Sequence, residues 1–220
     1  MIRCSCIKKS KGMEGRVPKR VDHEERRRHI AEAVWRIAVL RGLEGVSLRE
    51  VAAEAGVSMG RVQHYFKTKE RMILFACEYM VELAERGAGE FIAASPDPGA
   101  PKSNLRGVCL QTLPLAEEHR AGASVWLAFL VRAVVDPDLA AFIRRAWDGT
   151  HGFVAEQIRS AQEHGEVPPD LDPDREAVAL VSLVDGLVSH LMVGHYTGEE
   201  ALAAVDDHLD RLFGGPTPDG

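Results

Sequence analysis

Helix start and stop signals recur along nearly the whole sequence, whereas the alternating pattern of an amphipathic strand is nearly absent. Ser47 and Glu50 have the spacing of a capping box, in which the serine side chain accepts a hydrogen bond from a backbone amide of the first turn. Asp136-Pro137 and Asp172-Pro173 each place a capping residue before a proline whose missing N–H costs nothing there. The sequence therefore predicts an all-α fold of about nine helices.

Apolar periodicity and turn residues set the extent of each predicted helix. The first helix is predicted to begin at a capping box of Asp22 and Glu25 and to stop at Gly42. Gly56 ends the second helix, and Ser58 caps the third. A long fourth helix then runs to a proline-rich breaker at 95–101. The remaining helices are predicted over residues 103–119, 122–135, 137–164, 173–195 and 199–213.

Charge is distributed unevenly along the chain. Residues 1–71 contain 17 Lys and Arg against 9 Asp and Glu, whereas the remaining residues contain 10 against 24. A basic N-terminal part is suited to binding a polyanion, which the acidic remainder would repel. The alternative reading is a solvated basic tail that serves only solubility.

Residues 46–69 have the element lengths of a helix-turn-helix unit, with a tight turn at Gly56. In such a unit the second helix enters the DNA major groove while the first braces it across the backbone. Arginine reads guanine and glutamine reads adenine through paired hydrogen bonds, and Lys69 is placed to meet a phosphate. An αα-hairpin within a helical bundle would have similar spacing. The side chains left for the groove side are Met59, Arg61, Gln63, His64 and Tyr65.

The stretch SLREVAAEAGVSMGRVQHYFKTKE, from Ser47 to Glu70, closely resembles the DNA-binding signature of the tetracycline-repressor (TetR) family. Within that family it resembles the branch of the choline-responsive repressor of betaine synthesis, over about residues 24–75. Many family members have Tyr where this chain has Gln63, so their base preference is not transferred. The operator contacts that we predict are Ser47, Arg49, Ser58, Met59, Gly60, Arg61, Gln63, His64, Tyr65 and Lys69.

The resemblance also implies a division of labour along the chain. Residues 22–68 are expected to form the three-helix DNA-binding domain, and residues 69–213 a ligand-binding and dimerisation domain. Residues 1–21 are expected to be a basic arm without fixed structure, and residues 214–220 a tail.

Aromatic and soft side chains of the middle helices are candidates for an effector pocket, because small-molecule sites in helical proteins are usually lined by such groups. Packing in an ordinary core would place the same residue types at the same spacing. Asp185 stands out because a buried, unpaired carboxylate is costly; it could pair across a dimer, touch a ligand or cap a neighbour. The candidate ligand residues are Phe75, Tyr79, Cys109, Trp126, Phe129, Trp147 and His151.

The last two predicted helices carry enough apolar surface to form a dimer interface, since four such helices from two chains can make a bundle. A two-fold dimer would present two recognition helices to an inverted repeat. Packing of both helices within one chain is the alternative. The predicted interface residues are Val181, Val184, Val188, Leu191, Leu202, Val205 and Leu209.

Several other classes of protein are disfavoured by the sequence. The chain begins without the apolar run of a secretory signal peptide, and its most hydrophobic predicted helix carries polar residues. Four cysteines are too few for a disulfide framework. We therefore expect a cytoplasmic protein without a membrane partner. Cys4 and Cys6 lack a matching zinc-site set, and His190 and His195 are predicted on different helix faces. No cofactor, metal site or catalytic constellation is expected.

The function expected from these features is a ligand-responsive, sequence-specific DNA-binding regulator. As a homodimer it would repress from an inverted-repeat operator and be released by a small molecule of unknown identity, acting through the fourth helix. The alternatives are a regulator that needs no effector or that needs a corepressor, and a helical small-molecule-binding protein without specific DNA binding.

Overall fold

A computed structural model of the chain describes the backbone of residues 19–214 and the side chains of residues 23–214. Residues 1–18 of the predicted basic arm, residues 215–220 of the predicted tail, and both Cys4 and Cys6 lie outside the described residues. The described backbone forms nine α-helices, with a single 3₁₀ turn and no strand, which confirms the all-α prediction.

The helices follow one another with short connections. A 3₁₀ turn, Leu43–Gly45, follows the first of them. The helices are α1 (Lys19–Arg41), α2 (Leu48–Glu54), α3 (Met59–Tyr65), α4 (Lys69–Ala93), α5 (Pro101–Thr112), α6 (Glu117–Ala133), α7 (Pro137–Glu163), α8 (Pro173–Met192) and α9 (Gly198–Leu212).

Most predicted helix starts are confirmed by their capping hydrogen bonds. The Asp172 carboxylate accepts from the backbone N–H of Asp174 at 3.0 Å, immediately before the proline that opens α8. At the start of α9, Thr197 and Glu200 form a reciprocal capping box, in which the backbone N–H of Thr197 donates to Glu200 at 2.7 Å. The side chains present in the sequence therefore satisfy backbone amides that the helix leaves without partners.

Four predicted boundaries are wrong by three residues or more. α6 begins at Glu117 instead of residue 122, because Glu117 and Glu118 suit the positive first turn of a helix. α1 begins at Lys19, so Asp22 lies inside the helix and is not its N-cap. The three residues before Asp22 include no glycine or proline that would end a helix. α5 ends at Thr112 instead of residue 119, because Pro114 lacks an N–H and disfavours helical backbone at the residue before it. α8 ends at Met192 because Gly194 takes a left-handed backbone, with φ of +72°, that turns the chain away.

The described residues divide into two compact units. The first contains residues 19–82 and 124–139, and the second contains residues 83–123 and 140–214. Helices α4, α6 and α7 therefore each contribute residues to both units. The domain boundary predicted at residue 69 stays a prediction.

In the first unit, α1 packs on the three helices that follow it. Ile30 and Val34 of α1, Val51 of α2 and Met72 of α4 are all at most 1% exposed. The indole N–H of Trp35 donates to the backbone carbonyl of Ala76 at 3.1 Å, which adds a polar contact between α1 and α4. This core fixes the positions of α2 and α3.

The core of the second unit is built from α5, α7, α8 and α9. Two ion pairs join α5 to α9: the Arg106 guanidinium donates to both oxygens of Asp206, at 2.6 and 3.0 Å, and Lys102 donates to Asp210 at 2.7 Å. Near the start of α5, the buried Asn104 amide donates to the Gln157 side chain of α7 at 3.0 Å.

The predicted dimer interface stays a prediction, but most of its residues already pack within a single chain. Five of the seven predicted residues are only 0–6% exposed, so their side chains contribute to the core of the second unit. Sequence periodicity located the apolar stripe of each helix but did not say which chain covers it. These five residues are Val184, Val188, Leu191, Val205 and Leu209.

Candidate nucleic-acid interface

The helix that precedes the candidate recognition helix is held by α1. The Ser47 hydroxyl accepts from the backbone N–H of Glu50 at 3.1 Å, as the capping prediction required. The Glu50 carboxylate does not close the box but accepts from Arg41 at 3.1 Å, and Arg36 donates to Glu54 at 2.6 Å. Two carboxylates of α2 are therefore directed to α1, away from the candidate DNA surface.

The turn between α2 and α3 depends on Gly56. Its φ of +65° lies in the left-handed region, which favours glycine. The backbone N–H of Val57 then donates to the carbonyl of Ala52 at 3.0 Å, so the chain reverses directly after α2. The His29 ring nitrogen lies 2.9 Å from the carbonyl oxygen of Ala55, a contact that joins α1 to the same turn. The angle between α2 and α3 is fixed by these contacts.

Helix α3 has one buried side and one exposed side. Val62 is fully buried and Phe66, its C-cap, is 3% exposed. The Ser58 hydroxyl caps the helix by accepting from the backbone N–H of Arg61 at 3.2 Å. The five residues Met59, Gly60, Arg61, Gln63 and His64 are exposed, and Tyr65 is partly buried.

The exposed side of α3 can therefore meet a flat or grooved partner without unfolding. A Cβ added at Gly60 would touch no other atom of the described chain, so internal packing does not require glycine there. Its predicted role as an operator contact stays a prediction.

Cationic side chains border α3. Lys69 lies in the first turn of α4, which Thr68 caps by accepting from the backbone N–H of Arg71 at 3.2 Å. Lys67 and Arg71 are exposed beside it and line a cavity of about 150 Å³ together with Tyr65. The sequence prediction did not include Lys67 and Arg71, although each lies two residues from Lys69, which it did include.

The positive charge of this surface is not neutralised within the described chain. No carboxylate of residues 23–214 makes an ion pair with Arg49, Arg61 or Lys69. Arg49 lies on the exposed side of α2, close to its N-terminus. The exposed rim of α2, α3 and the start of α4 thus combines hydrogen-bonding side chains with uncompensated cations, the two components of DNA recognition.

The candidate effector residues of the first unit are engaged in packing. The Tyr79 ring stacks on Trp35, with centroids 5.3 Å apart, and lies 6.5 Å from the Phe75 ring. Phe129 is fully buried in the same unit, and Trp126 is partly buried. Their role in effector binding stays a prediction.

In the second unit, the structure places Trp147 and His151 of α7 beside Asp185 of α8. The Trp147 indole and the His151 ring both lie close enough to the Asp185 carboxylate to lower its pKa. Burial nevertheless raises the pKa of Asp185 above its ordinary value, which means that the carboxylate is only partly compensated. Cys109 lies in the core, where burial raises the pKa of its thiol to about 12.

The sequence expectation for the histidine pair is wrong. Because α8 ends at Met192, the chain folds back and the backbone N–H of His195 donates to the carbonyl of His190 at 2.9 Å. The two rings lie 5.1 Å apart, and each also contacts the ring of Tyr196. Within the described part of the chain, no group of three or more His, Cys, Asp or Glu is arranged to hold a metal ion.

None of the described helices combines the length and the hydropathy that a membrane span requires.

Comparison with known proteins matches both parts of the chain. Residues 30–74 match the family described as bacterial regulatory proteins, tetR family, and residues 101–214 match the family described as BetI-type transcriptional repressor, C-terminal. The HTH-type transcriptional regulator PksA of Bacillus subtilis (strain 168) is 34% identical over 177 residues, which cover 80% of this chain and 83% of that protein.

Two further relatives extend the match over most of the chain. The HTH-type transcriptional regulator BetI of Brucella suis biovar 1 (strain 1330) is 27% identical over 198 residues, covering 87% of this chain and 94% of that protein. A crystal structure from Saccharomonospora viridis, described as a transcriptional regulator in complex with choline, has a TM-score of 0.76 and 26% identity, and the match covers 85% of this chain and 96% of that chain.

Proposed function

Because the chain belongs to the TetR family of bacterial regulatory proteins and has a BetI-type C-terminal domain, we propose that it is a dimeric repressor released from its operator by a small organic cation. The relatives described above are regulators of transcription and not enzymes. DNA binding, dimer formation and effector binding each have separate support and a separate test.

The DNA-binding part of the proposal is carried by the two-sided character of α3. Val62 and Phe66 anchor one side in the core, so the opposite side of a fixed helix presents Arg61, Gln63 and His64 to solvent. A helix of this kind fits the major groove, where arginine pairs with guanine and glutamine with adenine. The Lys69 ammonium, at the positive N-terminus of α4, is suited to a phosphate.

The test is selection from a randomised DNA duplex pool, followed by affinity measurements across a salt series. We expect an inverted repeat, and we expect Arg61→Ala to lose about 1–3 kcal/mol at the base pair that it reads. Arg144→Ala, an exposed arginine of α7, is the matched control and should bind as the wild type does. Recovery of no motif, with binding that disappears steeply as salt rises, would contradict sequence-specific recognition.

The dimer interface that we propose uses the exposed side of α8. Val178 is 51% exposed, and Ser182 and Gly186 follow it at intervals of one helical turn on the exposed side. A stripe of small and apolar residues allows two helices to approach closely around a two-fold axis. Val178→Glu should shift the sedimentation of the chain toward monomer, whereas Val131→Glu, at a 74% exposed valine of the first unit, should not.

The effector site that we propose is formed by Trp147, His151 and Asp185. A quaternary ammonium group is attracted both by a carboxylate and by the faces of aromatic rings, and it would supply the charge compensation that Asp185 lacks. The choline complex of the Saccharomonospora viridis relative supports a ligand of this class.

Titration calorimetry with choline tests the effector site. Asp185→Asn should weaken binding at least about tenfold, since it removes the carboxylate charge of the site while keeping a side chain of nearly the same shape beside Trp147. Asp148→Asn, an exposed carboxylate one residue from Trp147, is the matched control. Equal affinities of wild type and Asp185→Asn for choline would place the effector elsewhere.

Release from DNA imposes a reciprocal relation between the two ligands. If choline lowers operator affinity by some factor, saturating operator must lower choline affinity by the same factor. Independent binding of the two ligands would contradict induction and leave a regulator that needs no effector. Mutual strengthening would indicate a corepressor.

A further inference from the structure

Near the start of α1, the ring of His23 contacts the end of the candidate recognition helix. Its centroid lies 5.5 Å from that of Tyr65, with the two planes at 69°, and 6.1 Å from that of His64. The His64 and Tyr65 rings themselves meet edge to face at 5.2 Å. Three rings from two helices thus form one cluster on the surface that carries the predicted base contacts.

The next turn of α1 reinforces this contact. The Arg27 guanidinium lies 3.9 Å from the centroid of the Phe75 ring and 5.6 Å from that of Phe66, the residue that caps α3. Glu24 accepts from Arg27 at 3.2 Å and so holds the guanidinium in place. The placement of His23 therefore follows from a second, independent contact between the same two segments.

We infer that His23 is a positioning residue for base recognition, which acts by holding the rings of His64 and Tyr65. The inference rests on the proposed function, because it requires α3 to enter a DNA groove. His64 is exposed, and without a neighbouring ring its side chain would sample several rotamers before binding. Immobilising one such side chain on binding corresponds to about a 2- to 10-fold loss of affinity, which a preformed cluster avoids.

The experiment uses the full chain and the operator obtained from the randomised pool. We expect His23→Ala to bind the operator about 2- to 10-fold more weakly, and to flatten base preference at the same position that His64→Ala flattens. His23→Phe, which keeps a ring but removes the imidazole nitrogens, should restore most of the preference. His164→Ala, at an exposed histidine that directly follows α7, is the control, and thermal unfolding should be the same for all four variants.

A double-mutant cycle decides between positioning and a direct phosphate contact. Positioning predicts that His23→Ala has little further effect in the His64→Ala background. Additive losses, or an equal loss on operator and on scrambled DNA, would overturn the inference. If the pool yields no operator at all, it is the proposed function that fails, which the wild-type chain alone reveals.

Discussion

Substitution of Gly107 is the sharpest test of how the second unit is packed. This glycine is buried in the middle of α5, and Phe91 near the end of α4 lies directly against it. A Cβ added at Gly107 would lie 2.7 Å from the ring atom Cδ1 of Phe91 and still closer to Cε1 and Cζ. Carbon atoms in ordinary contact are about 3.5–4.0 Å apart, so the ring has to move.

The expected magnitude combines two opposing effects. Replacing glycine by alanine inside a helix stabilises it by about 1 kcal/mol, because alanine loses less backbone entropy on folding. Moving a ring in a packed core costs about 1–3 kcal/mol; Phe91 is 41% exposed and can move toward solvent, so the low end of that range, about 1 kcal/mol, applies. Gly149 is exposed in the middle of α7 with no atom within 4 Å of an added Cβ, so its substitution changes helix propensity without displacing a ring. Gly107→Ala should therefore be about 1 kcal/mol less stable than Gly149→Ala.

Urea unfolding of the full chain measures this difference, and Phe91→Ala supplies the decisive background. With the ring removed, Gly107→Ala and Gly149→Ala should stabilise the chain equally, since both then act only through helix propensity. An undiminished difference between the two alanine variants in the Phe91→Ala background would refute the argument. So would equal stabilisation by both in the wild-type background.

Three other predictions follow from polar and buried groups. Asp185→Asn should raise the free energy of unfolding at neutral pH, because it removes a charge that burial disfavours. This advantage over the wild type should disappear as the pH falls from the raised folded-state pKa of Asp185 toward 3.8, because protonation then neutralises the same carboxylate. Urea titrations at several pH values measure the difference, and a difference that stays constant with pH would contradict the prediction. Cys77 and Cys109, whose thiol pKa burial raises to about 12, should escape alkylation at pH 8 until the chain unfolds, as peptide mass mapping would show. Thr197→Ala should cost about 1 kcal/mol by removing the cap of α9, and Thr197→Ser should restore most of it.

Local signals explain why so much of the DNA-binding unit was predictable from sequence. Ser47, Gly56 and Ser58 each act within a few residues of their own position, through a cap or a left-handed turn. The exposed side of α3 could then be predicted, because the apolar positions Val62 and Phe66 have to face the core. The contact between α1 and the end of α3 was harder to predict, because His23 and Tyr65 are distant in the sequence.

The second unit was less predictable because its contacts are made between distant helices. Val205 and Leu209 form an apolar stripe whether a partner chain or the chain's own α5 and α8 cover them, and periodicity is the same in both cases. Asp185 could be singled out by its apolar neighbours, but its proximity to Trp147 and His151 depends on how α7 packs on α8. The error at Pro114 was of another kind, since a local breaker was present and overlooked.

The chain passes between its two units three times, and each passage lies inside a helix: in α4 after Glu82, in α6 after Ala123 and in α7 after Leu139. Domains that can be exchanged are usually joined by exposed linkers, which tolerate cutting and insertion. Here a chimera that replaces the second unit by that of another protein would have to continue three helices in phase. Inserting one residue at such a junction would rotate everything beyond it by about 100°. Engineering of this regulator is therefore better directed at side chains within each unit than at the exchange of whole units.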